Sequence, residues 1–202
     1  MSPQGERGGE VGDKTALILC EKALLASARG HKMTPEMTEL TAAGTTTSAT
    51  FQVDTADEAK AWGKRLGLAL RTGDVVGLVG PLGAGKTTLT QGIAEGTGVG
   101  GHRHVASPTF ALVNEHPGRV SLLHADLYRL NSAAELAELG LDEAFDRAAA
   151  VIEWADRFPA AFPADHLLIT IAVSPDGIRR LHVQAHGLES RRLLAAVAGT
   201  VR

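Results

Sequence analysis

Cysteine is almost missing from this chain: Cys20 is the only one in 202 residues. That excludes an intrachain disulfide and fits a reducing compartment. An excess of positive charge is missing too. Lys and Arg number 20 against 23 Asp and Glu, a formal charge of −3. Affinity for nucleic acid comes mainly from Lys and Arg neutralising phosphates, so this balance argues against a protein that grips nucleic acid by itself. Long apolar runs are also lacking. A membrane-spanning helix needs about 20 mostly apolar residues. The early run Ala16 to Cys20 is cut by Glu21 and Lys22. Ala26-Ser27-Ala28 imitates a cleavage site, yet it follows no uninterrupted signal core. No membrane partner is expected, and the chain reads as cytoplasmic.

What is present is ordinary for a globular protein. Hydrophobic residues make up 44% and charged residues 21%. At about 150 residues per domain, the length corresponds to one domain with an appendage. Residues 1–44 form an N-terminal extension of low order, with glycines among charges and no hydrophobic period. Met33 and Met37 stand near its end, and one hypothesis is that translation starts there. Residues 45–202 form the compact part.

Thr50 to Val53 reads as a strand. Thr55-Ala56-Asp57-Glu58 has the spacing of a capping box. Ala59, Trp62, Leu66 and Ala69 then recur at helical intervals, with Gly73 ending the helix. Trp62 reads as core. Val75 to Val79 is a short buried strand. A glycine loop and a helix to about Glu95 follow. Phe110 to Glu115 and Arg119 to His124 read as strands about a turn at Pro117-Gly118. Ser132 to Glu135 opens a helix that Gly140 closes, and Ala149 to Trp154 is a strand. Leu167 to Val173 and Ile178 to Ala185 form a hairpin across Pro175-Asp176-Gly177. A helix starts near Leu188. The alternation predicts an α/β fold with a mixed, mostly parallel central sheet flanked by helices.

Gly80-Pro81-Leu82-Gly83-Ala84-Gly85-Lys86-Thr87 fits G-x-x-x-x-G-K-[ST], between a strand and a helix as that motif requires. Such a loop curls so that backbone N–H groups converge on phosphate oxygens at a helix N-terminus. This predicts a P-loop NTPase fold. Lys86 is placed to reach the β- and γ-phosphates, and the Thr87 hydroxyl to ligate Mg²⁺. Thr88 adds a phosphate contact. Pro81 has no N–H, but the donors that matter lie from Gly83 onward.

Two apolar runs end in an acid: one leads to Asp126 and one to Glu153. Either acid suits the C-terminal end of a strand in an open α/β sheet, and spacing alone does not choose between them. Ser107-Pro108-Thr109-Phe110 follows the loop helix, and Thr109 is a candidate γ-phosphate sensor. His102 and His104 lack a metal-binding cluster around them. His182 and His186 read as surface residues on one face of a strand. No Asn-Lys-x-Asp follows the loop, which leaves a guanine-specific GTPase unsupported. Ala155 to His166 contains only Arg157, which is poor in the lid arginines of small-molecule kinases.

Four motifs together resemble the TsaE family, the P-loop ATPases of bacterial tRNA threonylcarbamoyladenosine biosynthesis. They are Leu82 to Thr90, Ser107 to Phe110, His124-Ala125-Asp126-Leu127-Tyr128-Arg129-Leu130 and Ile152-Glu153-Trp154-Ala155-Asp156. The resemblance covers about Phe51 to Gly187. It implies an ATP-binding, Mg²⁺-dependent ATPase in which Lys86 and the backbone of Gly83, Ala84, Gly85, Lys86, Thr87 and Thr88 hold phosphates. It further implies that Thr87 and Glu153 hold Mg²⁺, with Asp126 as a water-mediated ligand or water-orienting group. Thr109 then belongs to a switch loop, Trp154 edges the nucleotide pocket, and Thr55 and Ala56 approach the adenine. The family often has an acid where this chain has Pro81. The implied partner is a TsaB–TsaD complex that carries out the transfer to tRNA, so tRNA is met only through it. The competing readings are a small P-loop kinase acting on a metabolite and an ATP-gated interaction module with incidental hydrolysis.

Overall fold

The computed structural model describes residues 46–99, 105–108 and 112–199. The extension 1–44, the loop histidines 102 and 104, and Thr109 with Phe110 fall outside the described residues.

Seven strands form one sheet: β1 (Thr47–Val53), β2 (Val75–Val79), β3 (Val113–His116), β4 (Leu122–Asp126), β5 (Ala149–Glu153), β6 (Leu167–Val173) and β7 (Arg179–Ala185). Their spatial order is β1-β7-β6-β2-β5-β4-β3. The central four, β6-β2-β5-β4, run parallel, and antiparallel pairs close both edges. β2 and β5 are apolar along nearly their whole length because helices cover both faces of the sheet. Helices α1 (Ala56–Ala69), α2 (Lys86–Gly96) and α5 (Leu188–Ala198) share one apolar cluster with one face of the sheet. α3 (Ala133–Glu138) and α4 (Leu141–Phe145) lie over the other face, where Leu123, Ala125, Ala150 and Ile152 point. This is a P-loop NTPase-like α/β fold. Among the described residues no helix is long and apolar enough to cross a membrane.

Several boundaries differ from those expected. The Thr55 hydroxyl accepts from the Glu58 N–H as a capping box requires. However, α1 stops at Ala69, with Leu70 extended, and Gly73 belongs to the turn into β2. β4 runs from Leu122 to Asp126 rather than from Arg119 to His124, because pairing with β5 sets its register. Asp126 thus ends the strand itself. Trp154 is not in β5: its backbone is left-handed at φ 62°. Gly140 closes α3 as expected but at once starts α4, a helix with no distinct signal. His182 is exposed, whereas His186 lies just past β7, half-buried and stacked on His166 with ring centroids 4.3 Å apart.

α2 carries the glycine loop, and α1 holds α2 in place through an unusually close approach. A Cβ on Gly67 falls 2.1 Å from the Ile93 carbonyl oxygen, and one on Gly92 falls 2.1 Å from that of Lys60. Gly63 and Gly96 are as tightly confined by the opposite backbone. Both helices therefore present glycines four residues apart on the facing stripe. Alanine is favoured over glycine in a helix by about 1 kcal/mol. Gly92→Ala is nevertheless expected to lower stability by about 1–3 kcal/mol, since overpacking against rigid backbone costs more. A urea midpoint equal to that of the native chain would show that the helices part without penalty.

Candidate functional site

Parallel strands deliver their C-terminal ends to one edge of the sheet, where ligands gather in open α/β folds. Here that edge brings together the loop after β2, Glu153 at the end of β5 and Asp126 at the end of β4. Leu78 pairs with Glu153 and Glu153 with Asp126, so Glu153 sits beside the loop strand and Asp126 one strand beyond, in register. A cleft of about 430 Å³ opens between them. Its lining includes Gly83, Gly85, Lys86, Thr87, Thr88, Asp126, Glu153 and Trp154.

The loop conformation depends on glycine. Gly85 has φ 104° and Gly83 φ 78°, backbone that L side chains rarely adopt. α2 begins at Lys86, so its first N–H groups have no partners inside the helix, and Lys86, Thr87 and Thr88 line the cleft. Within the loop, the Ala84 N–H is already engaged, because it donates to the Pro81 carbonyl at 3.1 Å. Ala84 is buried and does not line the cleft.

Lys86 is 5% exposed. Its Nζ donates to the carbonyls of Gly80 (2.7 Å) and Pro81 (3.0 Å) and lies 3.6 Å from the centre of the Trp154 ring. Among the described residues it forms no ion pair. Burial pushes its ammonium below the usual lysine range, against the opposing pull of Glu153, Asp126 and Asp156. The left-handed turn at Trp154 is what brings the indole over the ammonium. Trp154 also packs on Tyr128, with ring centroids 4.8 Å apart. Leu112 (φ 59°) and Trp154 are the two non-glycine residues with positive φ among the described residues. Both line the cleft, and strained backbone of this kind concentrates at functional sites.

The two acids are held differently. Glu153 is 2% exposed. Its Oε2 accepts from the Thr87 hydroxyl at 3.2 Å, while its Oε1 lies 2.9 Å from His124 Nε2 and 3.3 Å from Thr90 Oγ1. Asp126 is more open. Its Oδ2 accepts from the Ser107 hydroxyl and its Oδ1 from the Tyr128 N–H at 3.0 Å. Thr87, Glu153 and Asp126 thus present a hydroxyl and two carboxylates, the hard oxygen donors that suit Mg²⁺. No three His, Cys, Asp or Glu side chains cluster to hold a metal among the described residues. Mg²⁺ typically binds through one or two carboxylates together with substrate phosphates, and this donor set fits that pattern.

Thr55 and Ala56 are exposed at the start of α1 and do not line the cleft. They lie close along the chain to Val53, which pairs with Arg179 on β7. Sequence reasoning missed Arg179. Its Nε donates to the Ala84 carbonyl at 3.0 Å and its Nη1 to the Gly177 carbonyl at 3.2 Å, tying the β6–β7 turn to the glycine loop. No local signal marks it, because the contact spans 95 residues of sequence. A charged hydrogen bond is worth about 1.5–3 kcal/mol. Arg179→Ala is therefore expected to weaken nucleotide binding by about tenfold, measured with a fluorescent ADP analogue. Native affinity in that variant would show the loop to be self-supporting. His124 and Thr90 stand within the quoted motifs but carried no role there, although His124 is two residues before Asp126 and so shares its strand face.

Comparison with known proteins gives a consistent result. The sequence profile described as "Threonylcarbamoyl adenosine biosynthesis protein TsaE" matches residues 53–181. The TsaE protein of Streptomyces coelicolor is 40% identical over 142 residues, covering 67% of this chain and 95% of that one. The TsaE protein of Treponema pallidum is 36% identical over 129 residues, 63% of this chain and 94% of that one. The crystal structure of Bacillus subtilis YdiB superposes with a TM-score of 0.66 at 31% identity, covering 77% of this chain and 97% of that one. The profile match spans the glycine loop, both acids and Trp154, and with the shared fold it means that this chain belongs to the TsaE family.

Proposed function

We propose that the chain is a Mg²⁺-dependent ATPase that assists threonylcarbamoylation of tRNA adenosine by binding and resetting a TsaB–TsaD-like transferase complex. A role in tRNA threonylcarbamoyladenosine biosynthesis is supported by the family and by the names its relatives carry. The ATPase reading rests chiefly on one observation. A buried ammonium, held by loop carbonyls and an indole face, shares with two carboxylates a cleft that the first residues of α2 line.

In this reading the N–H groups at the start of α2 and Lys86 neutralise the β- and γ-phosphate oxygens, where charge develops as the terminal P–O bond breaks. Thr87 and Glu153 hold Mg²⁺, which when bound neutralises phosphate charge. Asp126, fixed by Ser107 and the Tyr128 N–H, orients the attacking water. Thr109 senses the γ-phosphate, and Trp154 closes the edge of the pocket. Thr55 and Ala56 contribute to the adenine side through their proximity to the β1–β7 pairing and the Arg179 link. Residues 45–202 are the working ATPase unit and 1–44 an extension to it. The near-neutral charge suits a chain that meets tRNA only through its partner complex and works in the cytoplasm.

The test is ATP hydrolysis by the purified chain with and without its cognate TsaB–TsaD complex. Stimulation by the complex is expected. Turnover that ignores the complex but rises with a small hydroxyl acceptor would make the chain a kinase. Nucleotide-dependent docking that persists in a hydrolysis-dead variant, with no loss of tRNA modification, would make it an ATP-gated module.

A further inference from the structure

Glu153 offers its two oxygens to two different surroundings, and the division traces to one buried histidine. Along β4 the residues Leu122, His124 and Asp126 share a face, since side chains alternate along a strand. Pairing with β5 sets Asp126 against Glu153 and His124 against Val151. His124 is therefore one step below the two acids, inside the fold, and it is fully buried. Its Nε2 is 2.9 Å from Glu153 Oε1. A carboxylate only accepts, so Nε2 is the donor in this pair.

The second neighbour of Oε1 is a weaker holder. Thr90 Oγ1 lies 3.3 Å from Oε1 but 3.0 Å from the Lys86 carbonyl oxygen. A hydroxyl has one proton to donate, and the carbonyl is the nearer acceptor. His124 is then the donor that fixes Oε1. Its other nitrogen, Nδ1, is buried with no hydrogen-bond partner among the described residues. A buried polar atom left unpaired is a local cost that an apolar side chain at this position avoids, and such exceptions concentrate where function requires them.

We propose that His124 is a positioning residue for Glu153: it anchors Oε1 within the fold so that Oε2, beside the Thr87 hydroxyl, is the single oxygen turned to the cation side of the cleft. This rests on the reading in which Glu153 holds the cation. Mg²⁺ demands near-ideal octahedral geometry, so a carboxylate free to rotate serves it poorly. Groups that orient ligating side chains commonly govern metal affinity in this way.

The experiment measures Mn²⁺ affinity for the protein–ADP complex by electron paramagnetic resonance, with ADP affinity in EDTA and the urea midpoint as controls. It uses H124L, which keeps the bulk, H124Q, which restores an N–H donor, and E153Q. H124L is expected to lose about 10- to 100-fold in Mn²⁺ affinity while its metal-free ADP affinity stays within about threefold of native, and H124Q to recover most of the loss. Unchanged Mn²⁺ affinity in H124L, with a loss in E153Q, would overturn the positioning role and leave the cation reading intact. No loss in E153Q would overturn the cation reading itself. Equal losses of ADP affinity in EDTA for H124L and H124Q, or a fall in urea midpoint that accounts for the metal loss, would reduce His124 to a packing role.

Discussion

Lys86→Ala is expected to lower ATP turnover by about 10²-fold or more, the scale seen when a donor aimed at developing charge is removed from a water-excluded site. Lys86 is buried, and Asp126 and Glu153 line the same cleft. Without the ammonium, an incoming triphosphate meets those two acids with one positive charge fewer. The carbonyls of Gly80 and Pro81 also lose their donor. Lys86→Met keeps much of the stem and should fall as far, which separates lost charge from lost packing. Steady-state turnover together with nucleotide affinity decides the matter. Hydrolysis retained in both variants would remove the cleft from consideration as the ATP site.

Glu153→Gln should split binding from turnover. The amide preserves shape, and its oxygen can still accept from His124, so the fold around β5 is expected to hold. Cation binding is what the lost charge affects. Turnover should drop by about 10²-fold, while nucleotide affinity measured without metal changes little, because charge neutralisation by a bound metal contributes several kcal/mol at the transition state. The readout is the Mg²⁺ concentration that gives half-maximal turnover. If that concentration does not move, Asp126 is the main acid. The structure gives a reason to favour Glu153: it is next to Thr87 and in register with β2, which carries the loop, whereas Asp126 is one strand further out and already held by Ser107 and the Tyr128 N–H.

Much of this site was legible because its parts are local. The glycine loop is a contiguous run whose spacing carries its own geometric requirement, left-handed backbone at Gly83 and Gly85. The capping residues of α1 and α3 act over three positions, as their sequence spacing implied. Strands β2 and β5 were visible as short apolar runs because both of their faces are covered. Element ends were less legible. Trp154 read as the last residue of a strand, but it leaves the sheet in a left-handed turn that β-propensity does not announce.

The amino-acid sequence by itself determined the class of fold, the order of its elements apart from α4, the glycine loop with Lys86 and Thr87, and the two acids at strand ends. These follow from periodicity and spacing over a few residues. The tertiary structure alone decided the contacts between distant segments. It set Glu153 next to the loop and Asp126 one strand beyond, divided the Glu153 oxygens between His124 and Thr87, and brought Arg179 to the loop from the far hairpin. It also packed α1 on α2 so closely that only glycine fits. The physical reason is common to all of these. Strand order, register and helix approach are set by packing among residues far apart in the chain, and no local pattern encodes which strand will lie beside which.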